Sequence, residues 1–247
     1  MRGQFFDSMN GIAVKEYAQA HMGRSMGFGI SADLPSRRAA LRLYVPCLGA
    51  YHGGSVSPPM TSPLPSPLPI DPVFQLVLEV PAHTPRPDLP RRLTALFQEL
   101  AMDEPPRPVE EIEDQIWALW SSHEDRIAEE TMAAAVEALS SGSLKKARPL
   151  LDHLVAMYPD WPEAWNKRAT LASIEKRDAD SLLDIAQTLR LEPRHFGAVA
   201  GFGNICLRHG HLNEARAAFQ IALGINPHME DLRDMLENLS PHHLMLH

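Results

Sequence analysis

The 247 residues include 23 Lys and Arg against 31 Asp and Glu, for a formal net charge of −8. The acidic excess lies in residues 91–247, with sixteen Lys and Arg against twenty-five Asp and Glu, so a nucleic-acid partner is not expected. No stretch approaches the roughly 18 uninterrupted apolar residues of a membrane span, and Cys47 and Cys206 lack the CxxC spacing of a zinc or disulfide framework.

Residues 1–90 form a Pro-rich region without sustained periodicity, which we predict to be disordered. The Pro/Ser run at 57–72 is typical of a linker that samples extended, polyproline-like states, although such a run also suits a proline-reading groove. Val73–Val80 has the composition of a single β-strand, but no partner strand is evident, and a lone strand is not stable.

Residues 37–50 have the outline of a secretory signal, because the basic pair Arg37-Arg38 precedes an apolar stretch. Arg42 and Pro46 interrupt that stretch. The sequence therefore leaves two compartments open: the cytoplasm, or the periplasm if the segment is functional.

Two amphipathic helices are predicted at 91–101 and 109–122. Their apolar residues recur at helical spacing, and those on one face of the second helix are Ile112, Ile116, Trp117 and Trp120. We interpret residues 91–127 as an N-terminal helical cap that packs on the first repeat. The alternative is that the two tryptophans form a binding patch.

A period of 34 residues dominates the rest of the chain. The positions that repeat hold a small residue, a large residue four positions later and then a proline: Ala147, Leu151 and Pro159; Ser181, Ile185 and Pro193; Ala215, Phe219 and Pro227. Gly142, Lys176 and Gly210 mark the equivalent turn inside each unit. The pattern predicts helix–turn–helix units, with helices at 128–140, 144–157, 161–175, 178–190, 195–209 and 212–225.

The period and the small–large–proline order resemble the tetratricopeptide repeat (TPR), with Trp165 as the one conforming tryptophan. The resemblance implies an all-α fold, a short right-handed α-solenoid in residues 128–240. Its expected parts are three repeats, a C-terminal capping helix and a flexible tail: 128–161, 162–195, 196–229, the helix after Pro227, and 241–247.

Residues 91–240 are also similar to uncharacterised bacterial TPR proteins. The motifs that carry this resemblance are Ile116-Trp117…Trp120, Trp165-Asn166-Lys167-Arg168-Ala169-Thr170 and Glu192-Pro193-Arg194-His195-Phe196-Gly197. The resemblance implies no established activity.

Candidate chemistry is sparse. His242, His243 and His247 could ligate a metal but lie in the predicted tail, and His209 and His211 flank a turn glycine. Phosphate-cradling loops, G-x-S-x-G and H-E-x-x-H are absent from the sequence. We therefore predict a protein that is not an enzyme and has no cofactor and no metal site.

In a TPR superhelix the first helix of each unit lines the concave surface. The expected lining includes Glu129, Glu163, Ser173, Gly197 and Ala200, and the predicted partner-binding residues are Met132, Val136, Leu139, Asn166, Lys167, Thr170, Asn204 and Leu207. Met132 and Ala200 stand where a carboxylate clamp needs polar or basic groups. We expect instead that Asn166 and Asn204 hold the backbone of a ligand that carries an apolar anchor.

The sequence thus predicts a non-enzymatic protein-interaction module that binds a peptide or a partner's helix. The alternative is an exported structural or accessory protein in an envelope assembly complex. The partner's identity and the oligomeric state cannot be read from the residues.

Overall fold

A computed structural model of the chain describes residues 68–82, 89 and 91–239. Helices make up most of this part. Their bounds are α1 Ile70–Glu79, α2 Arg91–Leu100, α3 Val109–Ser121, α4 Arg126–Ser140, α5 Leu144–Met157, α6 Pro162–Ile174, α7 Asp178–Leu191, α8 Phe196–Arg208, α9 Leu212–Ile225 and α10 Glu230–Asn238, with a short 3-10 turn at Val80–Ala82.

Several predictions fall outside the described residues. They concern the signal-like segment 37–50, most of the Pro/Ser run at 57–72, and the tail 241–247 with its three histidines. Within the described ranges, none of the helices is both long and apolar enough to cross a bilayer.

The units predicted from the period are three antiparallel helix pairs, α4–α5, α6–α7 and α8–α9. Each first helix packs against its own second helix, and each second helix packs against the next first helix. This arrangement confirms the all-α repeat solenoid. The third unit shows its packing rule most clearly, because a Cβ atom on Gly203 would lie 2.4 Å from Cε1 of Phe219. The small residue is needed for the close approach of the two helices.

The turn inside each unit has left-handed backbone at Gly142, Lys176 and Gly210, with φ of 70°, 62° and 79°. In the second unit the N–H of Arg177 donates to the carbonyl of Ala172 at 2.8 Å, the bond of a Schellman helix ending. Lys176 occupies a conformation that costs an L-residue with a Cβ about 1–2 kcal/mol.

Residues 70–82 are helical, so the disorder predicted for them is wrong, and Val73–Val80 does not adopt the strand that its composition would suit. Instead α1 buries Ile70, Val73 and Val77 and packs against the second helices α7 and α9. Apolar residues three and four apart form one helical stripe, and burial of that stripe outweighs the β-propensity of the valines.

The helices α2 and α3 form an inner hairpin, residues 91–121. It contacts the end of the first repeat, where the Trp161 indole donates to the carbonyl of Trp120 at 2.7 Å, but its aromatic face packs further along the chain. It lies where units 2 and 3 connect. The amide of Asn226, after α9, donates to Glu113 at 2.8 Å, and the Phe196 ring lies 5.5 Å from the Trp117 ring. The hairpin packs there because its aromatic face buries Phe196, and this ring would be exposed if the hairpin lay only on the first repeat.

Replacing Lys176 by glycine should stabilise the fold. Relief of the left-handed strain exceeds the added entropy of the unfolded chain, so the free energy of unfolding should rise by about 0.5–1 kcal/mol. The matched change Lys146→Gly, in the right-handed helix α5, should lower it by up to about 1 kcal/mol. Urea denaturation of both variants checks the sign. Destabilisation by Lys176→Gly would contradict the turn geometry.

Docking of α1 predicts a contrast between neighbouring residues. Val77 is fully buried and Leu78 is 44% exposed. Val77→Ala should therefore cost about 1–3 kcal/mol of unfolding free energy, whereas Leu78→Ala should cost less than about 0.5 kcal/mol. Equal effects in a denaturant titration would mean that α1 is not docked on α7 and α9.

Candidate functional site

The predicted partner-binding residues all lie on the first helices α4, α6 and α8, but most of their side chains are covered. Thr170, Asn204 and Leu207 are half-buried. The others are at most 7% exposed: Met132, Val136, Leu139, Asn166 and Lys167. The expectation that these five line an open groove is wrong, and a role in binding for the eight residues stays a prediction.

The first-unit residues are covered because the units stack closely. Met132, Val136 and Leu139 share a buried cluster with residues of the second unit, among them Ala164 and Leu171. These apolar side chains, which we expected to anchor a ligand, are instead buried against the second unit.

Four polar side chains, here called the polar cluster, lie buried together at the start of the second unit and just before α8. They are Glu163, Asn166, Lys167 and His195. The Lys167 ammonium lies 2.8 Å from Glu163 Oε1, and the Asn166 amide donates to Glu163 Oε2 at 3.0 Å. The Asn166 amide, which we expected to hold a ligand, thus serves a neighbouring carboxylate.

The hydrogen bonds of His195 assign its tautomer. Its Nδ1 accepts from the N–H of Ala198 at 3.2 Å and so caps the start of α8. The ring proton is then on Nε2, which donates to Glu163 Oε2 at 2.9 Å. A neutral His195 links the first helices of two units, while Glu163 and Lys167 compensate each other's charge.

Burial by itself would raise the pKa of Glu163. The charge of Lys167 and the hydrogen bond from His195 outweigh burial, and the pKa of Glu163 lies below its ordinary value. The ionised carboxylate therefore stabilises the fold above the unfolded pKa, and that contribution is lost as the pH falls through the lower folded pKa.

The inner hairpin covers the polar cluster with two aromatic rings. The Trp120 ring stacks on His195, with centroids 4.1 Å apart and planes 9° apart. The Trp117 ring lies 4.9 Å from the ammonium of Lys167, a cation–π contact. A Cβ on Gly197 would lie 2.9 Å from Cη2 of Trp117, so the glycine makes room for the ring.

The three motifs that carried the bacterial resemblance therefore meet at one place. The tryptophans come from the first motif, Asn166 and Lys167 from the second, and His195 and Gly197 from the third. Sequence reasoning identified the motifs but did not predict that they touch. It treated the tryptophans as core, placed Glu163 in the groove lining but not among the partner-binding residues, and did not select His195.

A second feature lies on the side of the second helices. A cavity of about 310 Å³ opens between α5 and α7, with α6 as its floor, and its lining includes Arg148, Asp152, Trp165, Arg168, Leu183 and Asp184. Arg168 donates from Nε and Nη2 to the two carboxylate oxygens of Asp184, each at 2.8 Å. We name these six residues the outer charged groove. No motif of the sequence indicated this groove.

Reactive groups elsewhere are held by structural contacts. Burial raises the pKa of the Cys206 thiol to about 12, so the thiol is a poor nucleophile at neutral pH. His209 Nε2 lies 2.7 Å from the Asp178 carboxylate. Across residues 68–82 and 91–239, no three His, Cys, Asp or Glu side chains are grouped to hold a metal ion.

No protein-family model matches the chain, but the chain is similar to a known protein. A TPR repeat-containing protein of Rhizobium etli is 31% identical over 137 residues, which cover 56% of this chain and 67% of that protein.

Glu163→Gln should be strongly destabilising, because it leaves Lys167 buried without a counter-charge. The expected loss is about 3–5 kcal/mol of unfolding free energy at pH 7. The wild type loses the contribution of the ionised Glu163 at low pH, whereas the variant has no carboxylate to protonate. The difference in unfolding free energy between the two proteins should therefore become smaller below about pH 4.5.

The matched control is Glu130→Gln, which removes an exposed carboxylate paired with Arg126 and should cost less than about 1 kcal/mol. Denaturant titrations across pH 3–7, roughly the range in which carboxylates titrate, measure both variants. A mild and pH-independent effect of Glu163→Gln would show that the ion pair does not stabilise the fold.

Proposed function

The chain belongs to the TPR repeat-containing proteins, and from that premise we propose that it is a non-enzymatic module that binds a helix of a partner protein on its concave face. The observation that supports this proposal is the inner hairpin. One end of the concave face already holds an amphipathic helix, α3, through Trp117 and Trp120.

The chemistry of that contact indicates what the face accepts. Trp117 and Trp120 lie three residues apart on one helix. The Trp120 ring stacks on the His195 imidazole, and the Trp117 ring contacts the Lys167 ammonium and fills the space beside Gly197. A helix that lays such a stripe into a groove is a common mode of peptide recognition. A partner helix with aromatic side chains at the same spacing would compete with α3.

The concave face extends beyond the hairpin. Thr170 lies one turn past Asn166 on α6, and Asn204 and Leu207 lie on the later turns of α8. All three are half-buried. A partner helix longer than α3 would contact these residues as well, which would give it an advantage over the hairpin.

Catalysis is a weaker reading of the same residues. Glu163, Lys167 and His195 are at most 2% exposed, and they bind one another beneath the tryptophan rings. Their side chains are inaccessible to a substrate in this conformation, whereas an enzyme needs its reacting groups at the wall of an open pocket.

A peptide of residues 107–123 tests whether the face binds a helix in trans. In the full chain the hairpin competes at an effective concentration of about millimolar, so labelled peptide should bind weakly. Trp117→Ala with Trp120→Ala weakens the internal competitor, and fluorescence anisotropy should show at least about tenfold tighter binding of the peptide.

Adding Gly197→Leu to the double variant provides the control. The new side chain fills the space that a Trp117 ring occupies, so binding should be lost. Circular dichroism would check that each variant retains its helices. A helical double variant that binds the peptide no better than the wild type would refute the proposal.

A further inference from the structure

The first unit leaves open a surface that the later units bury. In units 2 and 3, one side of the first helix packs on the preceding unit. The residues on that side are at most 5% exposed: Trp161, Ala164 and Leu171 in unit 2, with Ala198 and Ile205 in unit 3. Subtracting the period of 34 residues from the unit 2 positions gives Ile127, Glu130 and Glu137 on α4.

Four apolar side chains form a strip across this side of unit 1. Ile127 is 63% exposed and Met157 is 60% exposed, while Ala134 is exposed and Leu150 is half-buried. In the antiparallel pair α4–α5, Ile127 and Met157 both lie fifteen residues from the turn residue Gly142. Ala134 and Leu150 both lie eight residues from it. The members of each pair are therefore at the same level of the two helices.

The strip faces away from unit 2. On α4, Val136 belongs to the cluster shared with unit 2, and Ala134 precedes it by two residues. On α5, Asp152 pairs with Arg168 of α6, and Leu150 precedes Asp152 by two residues. Two residues turn an α-helix by about 200°, so Ala134 and Leu150 lie on the opposite sides of their helices.

One charge of each sign borders the strip. Glu137 on α4 and Lys146 on α5 are exposed, and neither forms an ion pair with a residue that the structure describes. The nearby Glu130 is already paired with Arg126, so these two charges offset each other. Glu137 and Lys146 lie five and four residues from Gly142. The border is therefore acidic on α4 and basic on α5 at nearly the same level.

We propose that this surface joins two copies of the chain in a two-fold symmetric dimer. We name it the leading surface, and its residues are Ile127, Ala134, Glu137, Lys146, Leu150 and Met157. In a two-fold contact the same patch meets itself. With the axis parallel to the helices, α4 of each copy lies on α5 of the other at the same level. Glu137 then meets Lys146 of the partner subunit, and the two apolar strips cover each other.

The charges disfavour the other ways of covering the leading surface. An axis perpendicular to the helices would place α4 on α4 and bring acidic borders together. Head-to-tail stacking would place Glu137 against α10, whose exposed acidic residues are Glu230, Asp231, Asp234 and Glu237. A preceding apolar helix, like those that cover Leu171, would remove water from Glu137 without supplying a cation.

Sedimentation velocity of the full-length chain tests the proposal. The wild type should show a monomer–dimer equilibrium in the micromolar range that weakens as salt screens the charges. Ile127→Asp places a carboxylate in the apolar strip and should weaken association at least about tenfold. The matched control is Leu183→Asp on α7, where the leucine is 58% exposed, and this change should leave association unchanged.

Exchange of the two border charges tests the symmetry of the contact. Glu137→Lys alone and Lys146→Glu alone should each weaken self-association at least about tenfold, because like charges then meet twice. A mixture of the two variants should dimerise again, since each contact in the mixed dimer joins a lysine to a glutamate. Recovery on mixing cannot arise from a folding defect in either variant. Glu237→Lys on α10 is the control with the same change of charge and should have no effect.

Three results would overturn the proposal. The first is a wild type that stays monomeric up to about 100 µM. The second is a mixture of the two charge variants that associates no better than either variant alone. The third is an equal loss in the control variants, which for Glu237→Lys would indicate head-to-tail stacking. The leading surface shares no residue with the concave face, so this result is independent of peptide binding there.

Discussion

The third unit holds its two helices at the distance set by a large side chain against a small one, Phe219 against Gly203. This distance also sets the width of the grooves between neighbouring units, because every second helix packs on the next first helix. A stack of this kind exposes one face made of first helices and another made of second helices. Whatever binds either face must fit that spacing.

The chain covers both faces of its second and third units with its own N-terminal helices, but the two contacts differ in kind. The α1 contact is apolar, so it accepts a stripe of aliphatic side chains and one stacked ring. The hairpin contact places tryptophan rings over Glu163, Lys167 and His195, whose buried charges and hydrogen bonds require close matching. The second contact is therefore the more selective one.

Where the sequence analysis failed, the competing effect can be named. The valines of α1 favour a strand locally, yet α7 and α9 offer a groove that a helical stripe fills. Met132 and Asn166 lie on first helices as the register requires, but one packs against the next unit and the other binds Glu163. The position of a residue within a repeat does not predict which part of the chain packs on its side chain.

The sequence by itself determined the helices and their turns, because these depend on residues within one 34-residue period: α7 was expected at 178–190 and is Asp178–Leu191. Only the tertiary structure decided which faces are covered and which groove is charged. Those features depend on residues far apart in the chain, such as Glu113 and Asn226, which are separated by 113 positions. The spacing of apolar and small residues predicts where the helices lie. Which segment packs on each helix face depends on the shape and charge of the surfaces that form once the units have stacked.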